Sequence, residues 1–235
     1  MCPHIVKAYD EELRRLKERV VTMGALTSRQ LEVATQAMER AEPDLATRVI
    51  EREPEADRLE HEIENTAIRV LALRQPMAID LRQILSALRI SNELERICDH
   101  AEDIARRLLS LHGETIEPVR SLGTLVRYAA AMVDDAMRAY REGDVRRAKE
   151  VWDRDQILDE LYSGAFRQLL IFMMEDGRRI STAAQALFVA RDIERIGDRA
   201  TNIAELVIYE VGGKLVEEER PKADTTKSMT APPAQ

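Results

Sequence analysis

Four pairs of acidic residues stand four positions apart in this chain: Glu53/Asp57, Glu95/Asp99, Asp155/Asp159 and Glu194/Asp198. On a helix that spacing sets both carboxylates on one face. Like charges so placed repel by roughly 0.2–0.5 kcal/mol, so helix stability alone would favour Lys or Arg at the fourth position. A single pair of this kind reads as an ordinary solvated face, and the chain holds others, Glu51/Glu55 and Glu60/Glu64 among them. Internal repetition separates the four from the rest. The stretch Asn92-Glu93-Leu94-Glu95-Arg96-Ile97-Cys98-Asp99-His100-Ala101 is answered 99 residues later by Arg191-Asp192-Ile193-Glu194-Arg195-Ile196-Gly197-Asp198-Arg199-Ala200, and Ile104-Ala105 recurs as Ile203-Ala204. Further upstream Glu42, Glu53, Asp57 and Leu59 match Asp144, Asp155, Asp159 and Leu161 at an offset of 102, so the first half carries three extra residues, placed most simply around Gln75-Pro76. In this register Glu55 faces Ile157, Glu60 faces Tyr162 and Glu64 faces Phe166, whereas the four pairs match acid for acid.

Two sets of four carboxylates result: Glu53, Asp57, Glu95 and Asp99 in the first half, and Asp155, Asp159, Glu194 and Asp198 in the second. Such an oxygen-rich cluster suits hard or borderline cations such as iron, manganese, magnesium or calcium, and a bound metal would offset the repulsion. Asp103 and His100 are secondary candidates. Their counterparts are Asn202 and Arg199, so the two sites are not expected to be equivalent. His100 itself reads as a surface histidine, and Cys98, which stands where the second copy has Gly197, as a partly buried inert thiol. Catalytic chemistry finds no support. A ferritin-like di-iron centre needs Glu-x-x-His on two helices, and no histidine here has an acid three residues before it. The sequence has no glycine-rich phosphate loop, no G-x-S-x-G elbow and no H-E-x-x-H motif. The expectation is a protein that is not an enzyme.

The elements that must position these acids read as helices. Leu13, Leu16, Val20, Met23, Thr27, Leu31, Ala34 and Met38 recur at steps of three and four across a first helix from Val6 to Ala41. Pro43 opens the second, because proline fits a first helical turn, whose N–H groups lack partners anyway. This helix runs to Arg74 with Leu59, Ile63, Ala67 and Val70 as its stripe, and Pro54 inside it predicts a lost backbone bond and a local bend. A third spans Ala78 to Leu111 and is closed by Gly113. The plan then repeats. Thr115 caps a helix over 116–141, Gly143-Asp144 stops it and caps a fifth that extends to Met174, and a sixth runs from Ile180 to Val211 before Gly212-Gly213. On the third helix, Leu94, Ile97, Ala101, Ile104 and Leu108 face the core while Glu95 and Asp99 point away from it, towards an exposed site on the flank of the bundle. The predicted fold is all-α: a tandem duplication of an antiparallel three-helix bundle, with six long helices, repeats over 1–113 and 114–216, and a disordered polar tail over 217–235.

Composition agrees. Charged residues at 33% and aromatics at 4% fit a helical protein with an aliphatic core, and a net charge of −8 argues against nucleic-acid binding. The two cysteines suggest no disulfide framework and the first ten residues no signal peptide, which favours a reducing, cytoplasmic setting. The longest strongly apolar run, Leu169 to Met174, is far short of the roughly 20 residues that span a bilayer, so direct membrane insertion is not expected.

With its duplicated E-R-I-x-D element, the paired acids and the stretch Arg74-Gln-Pro-Met-Ala-Ile-Asp-Leu-Arg82, the chain resembles the PhoU family from about Tyr9 to Val211. Met173-Met174-Glu175-Asp176 and Leu187-Phe188-Val189-Ala190-Arg191 are similar to family positions as well. The resemblance implies a two-fold repeat of a three-helix bundle and negative regulation of phosphate uptake and of the phosphate-starvation response. It further implies an adaptor that links the ATPase subunit of the phosphate ABC transporter to a membrane sensor histidine kinase, held at the inner membrane through these partners. Some members hold multinuclear iron or other metals through the E/D-x-x-x-D acids, which here are the eight already named; manganese, magnesium, calcium and zinc are the alternatives to iron. A homodimer is expected. The rival expectation is a helical carboxylate protein for metal storage or redox chemistry. A third has the acids dock basic protein partners without metal.

Overall fold

The structure, a computed structural model, describes residues 3–74, 76–111, 117–175 and 177–214. Its helices are α1 (Pro3–Arg40), α2 (Pro43–Arg74), α3 (Ile79–Ser110), α4 (Glu117–Glu142), α5 (Val145–Asp153), α6 (Asp155–Glu175) and α7 (Ile180–Gly212), with a short 3₁₀ turn at Gly177–Arg179. Among the described residues there is no strand. The expected helix boundaries hold to within a few residues, and the apolar stripes face inwards. On α1, Leu16, Val20, Met23, Leu31, Ala34 and Met38 are buried, and Thr27 joins them by donating its hydroxyl to the Met23 carbonyl at 3.0 Å. On α3, Leu94, Ile97, Ala101 and Ile104 are buried as well.

The punctuation of the chain has local causes. Ala41 turns the backbone with a positive φ of 54° two residues before Pro43. Gly143, at φ +67°, takes the left-handed conformation that ends α4, and the Asp144 side chain then accepts from Arg147 N–H at 3.1 Å to start α5. Gly213 closes α7 in the same left-handed way, its N–H reaching the Tyr209 carbonyl at 2.8 Å. The closure by Gly113, the cap by Thr115, the repeat boundary between 113 and 114, and the polar tail over 217–235 all fall outside the described residues.

One expected helix is divided. The predicted fifth helix runs as α5 and α6, separated at Arg154, whose N–H reaches Val151 O at 3.1 Å in a tightened last turn. Arg154 keeps right-handed helical dihedrals (φ −77°, ψ −13°), pairs with Asp135 on α4 at 2.7 Å and lies over the Tyr128 ring, 5.1 Å from its centroid. The first half has Arg52 at the matching position, where α2 remains one helix through Pro54. The helix that lacks a proline is thus the one divided, while the helix with the proline stays continuous.

Packing repeats the plan at the level of the whole chain. α2 meets α1 and α3, and α5–α6 meet α4 and α7. The halves join where α1 meets its counterpart α4 and α3 meets its counterpart α7. An inner helix that packs on its own equivalent is the mark of a two-fold relation between repeats, as in an isologous dimer. α2 and α6 are left on the outer sides, each bringing two acids alongside a partner helix.

Candidate metal centre

In the first half, Glu53 and Asp57 on α2 lie alongside Glu95 and Asp99 on α3. The exposed acids of α2, Glu51, Glu55 and Glu64, stand apart from this set, for the four predicted acids are all half-buried. Glu95 and Asp99 do leave the core face as expected, but they are not fully exposed: the Glu95 side chain retains 17% of its accessible surface because α2 covers it. That partial burial changes the chemistry of the carboxyls. Loss of water, then the Asp57 carboxylate, Glu102 and Asp99, raise Glu53 to about 7. Burial, followed by Asp99, Glu60 and Asp57, likewise pushes Glu95 up to about 7, against a lowering by Arg96 3.6 Å away. Asp99 is raised too, chiefly by burial. The four acids therefore feel one another across the α2–α3 seam, and Glu102 and Glu60 add to the field. Sequence reasoning missed Glu102. The signal was present: it lies one helical turn beyond Asp99, on the side of α3 that faces Glu53.

The second half builds the same seam from α6 and α7. Asp155, first residue of α6, is buried, and Asp159, Glu194 and Asp198 are half-buried. The single hydroxyl proton of Thr201 is shared between Asp155 Oδ1 at 3.1 Å and the Gly197 carbonyl at 3.1 Å. At the position of Thr201 the first half has Glu102, so one seam carries an added charge where the other has a hydroxyl donor.

The residues beneath the acids are also exchanged. Gly197 lets α6 close on α7, for a Cβ there would stand 1.9 Å from Leu158 Cδ2. The first half has Cys98 at the position of Gly197 and buried Ala56 at that of Leu158, a large-for-small exchange across the same seam. Cys98 is fully rather than partly buried, 3.4 Å from the Thr27 hydroxyl, and its thiol is pushed up to about 12 by burial, which keeps it protonated and inert.

His100 is not on the surface. Only 12% of its side chain is accessible, because α7 packs over that face of α3. Asp103 joins His100 there, so it belongs to the α3–α7 seam. The spacing of α3 alone could not show which neighbour covers which side.

Among the described residues the ligand atoms that converge within 4.8 Å of one another belong to His100, Asp103 and Asp192, not to either four-acid set, whose acids line a common seam without closing on one point. Each set offers carboxylate oxygens from two helices, the donor type of a hard or borderline cation, and in the first half the acids hold protons near neutrality that a metal could displace.

Comparison with known proteins gives consistent matches over nearly the whole chain. The PhoU domain family matches residues 20–108 and again 122–207. The phosphate-specific transport system accessory protein PhoU homolog of Caulobacter vibrioides is 41% identical over 228 residues, 95% of this chain and 98% of the relative. The phosphate-specific transport system accessory protein PhoU of Escherichia coli K12 is 39% identical over 212 residues, 90% of this chain and 88% of that protein. The crystal structure of PhoU from Pseudomonas aeruginosa superposes with a TM-score of 0.85 at 36% identity and covers 88% of this chain and all (100%) of that one. The phosphate transport system regulatory protein PhoU from Streptococcus pneumoniae gives 0.82 at 26% identity, over 89% of this chain and 100% of that one.

Proposed function

Since this chain belongs to the PhoU family, we propose that it regulates phosphate transport, as a negative regulator of phosphate uptake and of the phosphate-starvation response. It acts without catalysis, as a metal-binding adaptor between the ATPase subunit of a phosphate ABC transporter and a sensor histidine kinase. Its relatives are named accessory proteins of the phosphate-specific transport system. No helix among the described residues is long and apolar enough to cross a membrane, so contact with a transporter runs through protein partners. The place of action is the cytoplasmic face of the inner membrane, and the working form is a homodimer.

The observation that carries the reading is the pair of matched four-acid seams, each on an outer flank of a rigid helical scaffold. Glu53, Asp57, Glu95 and Asp99 hold metal in one, and Asp155, Asp159, Glu194 and Asp198 in the other. Iron, manganese, magnesium, calcium and zinc are the candidates, and the metal supplies the positive charge that lets four carboxylates share one seam. Exposed apolar residues near the helix connections, Leu73, Met77 and Ile79 in one half and Ile171, Met174 and Ile180 in the other, support an interaction surface at the helix ends, several turns from the acids.

Cells lacking the protein are expected to express phosphate-starvation genes in high phosphate, and the intact gene to restore repression. Unchanged repression in its absence would remove the regulatory role. Iron-dependent oxygen consumption by the purified chain would favour a redox protein instead.

A further inference from the structure

The seam between α3 and α7 carries a second, unlike set of ligand atoms. One donor atom from each of His100, Asp103 and Asp192 lies within 4.8 Å of the other two. His100 Nδ1 is 3.6 Å from Asp192 Oδ1, too far for a hydrogen bond, and this buried nitrogen has no hydrogen-bond partner among the described residues. Two ligands at zinc-like bond lengths of about 2.1 Å and a tetrahedral angle stand about 3.4 Å apart, close to what is found here. The other oxygen of Asp192 accepts from Arg107 Nε at 3.2 Å. That contact turns the carboxylate so that Oδ1 faces the imidazole, the orienting role outer partners play around metal ligands. Asp103 is exposed, which leaves a path from solvent.

The duplication supplies an internal control. The equivalents of Asp192, His100 and Asp103 are Glu93, Arg199 and Asn202. There the carboxylate is already satisfied: Glu93 accepts from Arg199 at 3.3 Å and from Asn202 at 3.1 Å. A guanidinium belonging to the chain takes the place of a cation. At the other end of the seam that guanidinium is replaced by an imidazole and the amide by a carboxylate. Arg107, whose equivalent is Leu206, neutralises only one of the two aspartates. One end is closed by its own arginine, and the other has one negative charge over and a nitrogen donor.

We propose that His100, Asp103 and Asp192 form a divalent transition-metal site in the α3–α7 seam, separate from the four-acid flanks. One nitrogen and carboxylate oxygens suit zinc or a similar borderline ion better than calcium or magnesium. The ion would cross-link the two halves at the seam where they join.

The test is a titration of the metal-stripped full chain with Zn²⁺, read by calorimetric stoichiometry and by the imidazole ¹⁵N shifts of histidine-labelled protein. Wild type is expected to bind one ion whose signature is a shift of the His100 nitrogens. His100→Arg copies the second half and should fold with that one equivalent lost. Asp103→Asn, an exposed change that also copies the second half, should weaken the site by at least about tenfold and serves if the arginine variant fails to fold. Asp57→Asn combined with Asp159→Asn should leave the His100 shift intact, which separates this site from the four-acid clusters. No shift of the His100 nitrogens in wild type, or unchanged stoichiometry in both His100→Arg and Asp103→Asn, would overturn the proposal.

Discussion

The α2–α3 flank and the α6–α7 flank present the same four acids on the same pair of helices, yet they manage the charge differently. The first half lets carboxylates accumulate, with Glu102 and Glu60 added to the field of Glu53 and Glu95, and holds two carboxyls near neutrality as a result. The second half replaces Glu102 with Thr201, which donates to the buried Asp155. It also closes its seam more tightly, with Leu158 filling the space above Gly197 where the first half has Ala56 beneath Cys98. A duplicated site can thus keep its donor atoms while its supporting residues diverge. The difference predicts two sites of unequal affinity.

The largest effect should come from the packing exchange. Leu158→Ala is expected to cost about 2–5 kcal/mol of unfolding free energy by opening a cavity. Gly197→Ala should cost about 1–3 kcal/mol by overpacking against Leu158, part of it recovered from the better helix propensity of alanine. The double variant, which approaches the Ala56/Cys98 arrangement, should be more stable than the sum of the single losses implies. Denaturant unfolding of all four proteins gives the coupling, and simple additivity would mean that Leu158 and Gly197 do not compensate one another.

A smaller effect isolates the hydroxyl. Thr201→Val keeps the shape and removes one hydrogen bond to Asp155, at a cost of about 1–2 kcal/mol in the metal-free protein. A change near zero would show that the bond does not distinguish the halves.

The pH response is the gentlest test. Glu53 and Glu95 titrate near 7 in the folded chain against an ordinary value of 4.5. The folded state therefore binds the extra protons. This stability is fully present below about 4.5 and is lost as pH rises through about 7. Metal-free protein should melt at a lower temperature at pH 8 than at pH 5. Glu53→Gln should reduce that difference, by about 1 kcal/mol or less because solvent screens part of the field. Equal slopes for the variant and wild type would remove the charge crowding from the first half.

Much of this was legible in the residues. Periodicity located the helices, because a bundle core demands apolar residues at steps of three and four, and the internal register picked Glu53, Asp57, Glu95 and Asp99 out of a crowd of acids. What lay beyond reach depended on neighbours from the other half. His100 reads as a surface residue on α3 alone, and only the packing of α7 buries it. The division at Arg154 carries no proline or glycine signal in the residues around it. Glu102 was hidden for a related reason, since its importance rests on facing Glu53 across the seam.

Metal content tests the central claim most directly. Elemental analysis would be made on the purified full chain, on Asp57→Asn/Asp99→Asn and on Asp159→Asn/Asp198→Asn. Each pair of substitutions should remove the metal of its own half and leave the other half loaded, with circular dichroism confirming that the helices persist. Unchanged metal content in both variants, or a wild-type chain that takes up no metal at its acidic flanks, would contradict the account.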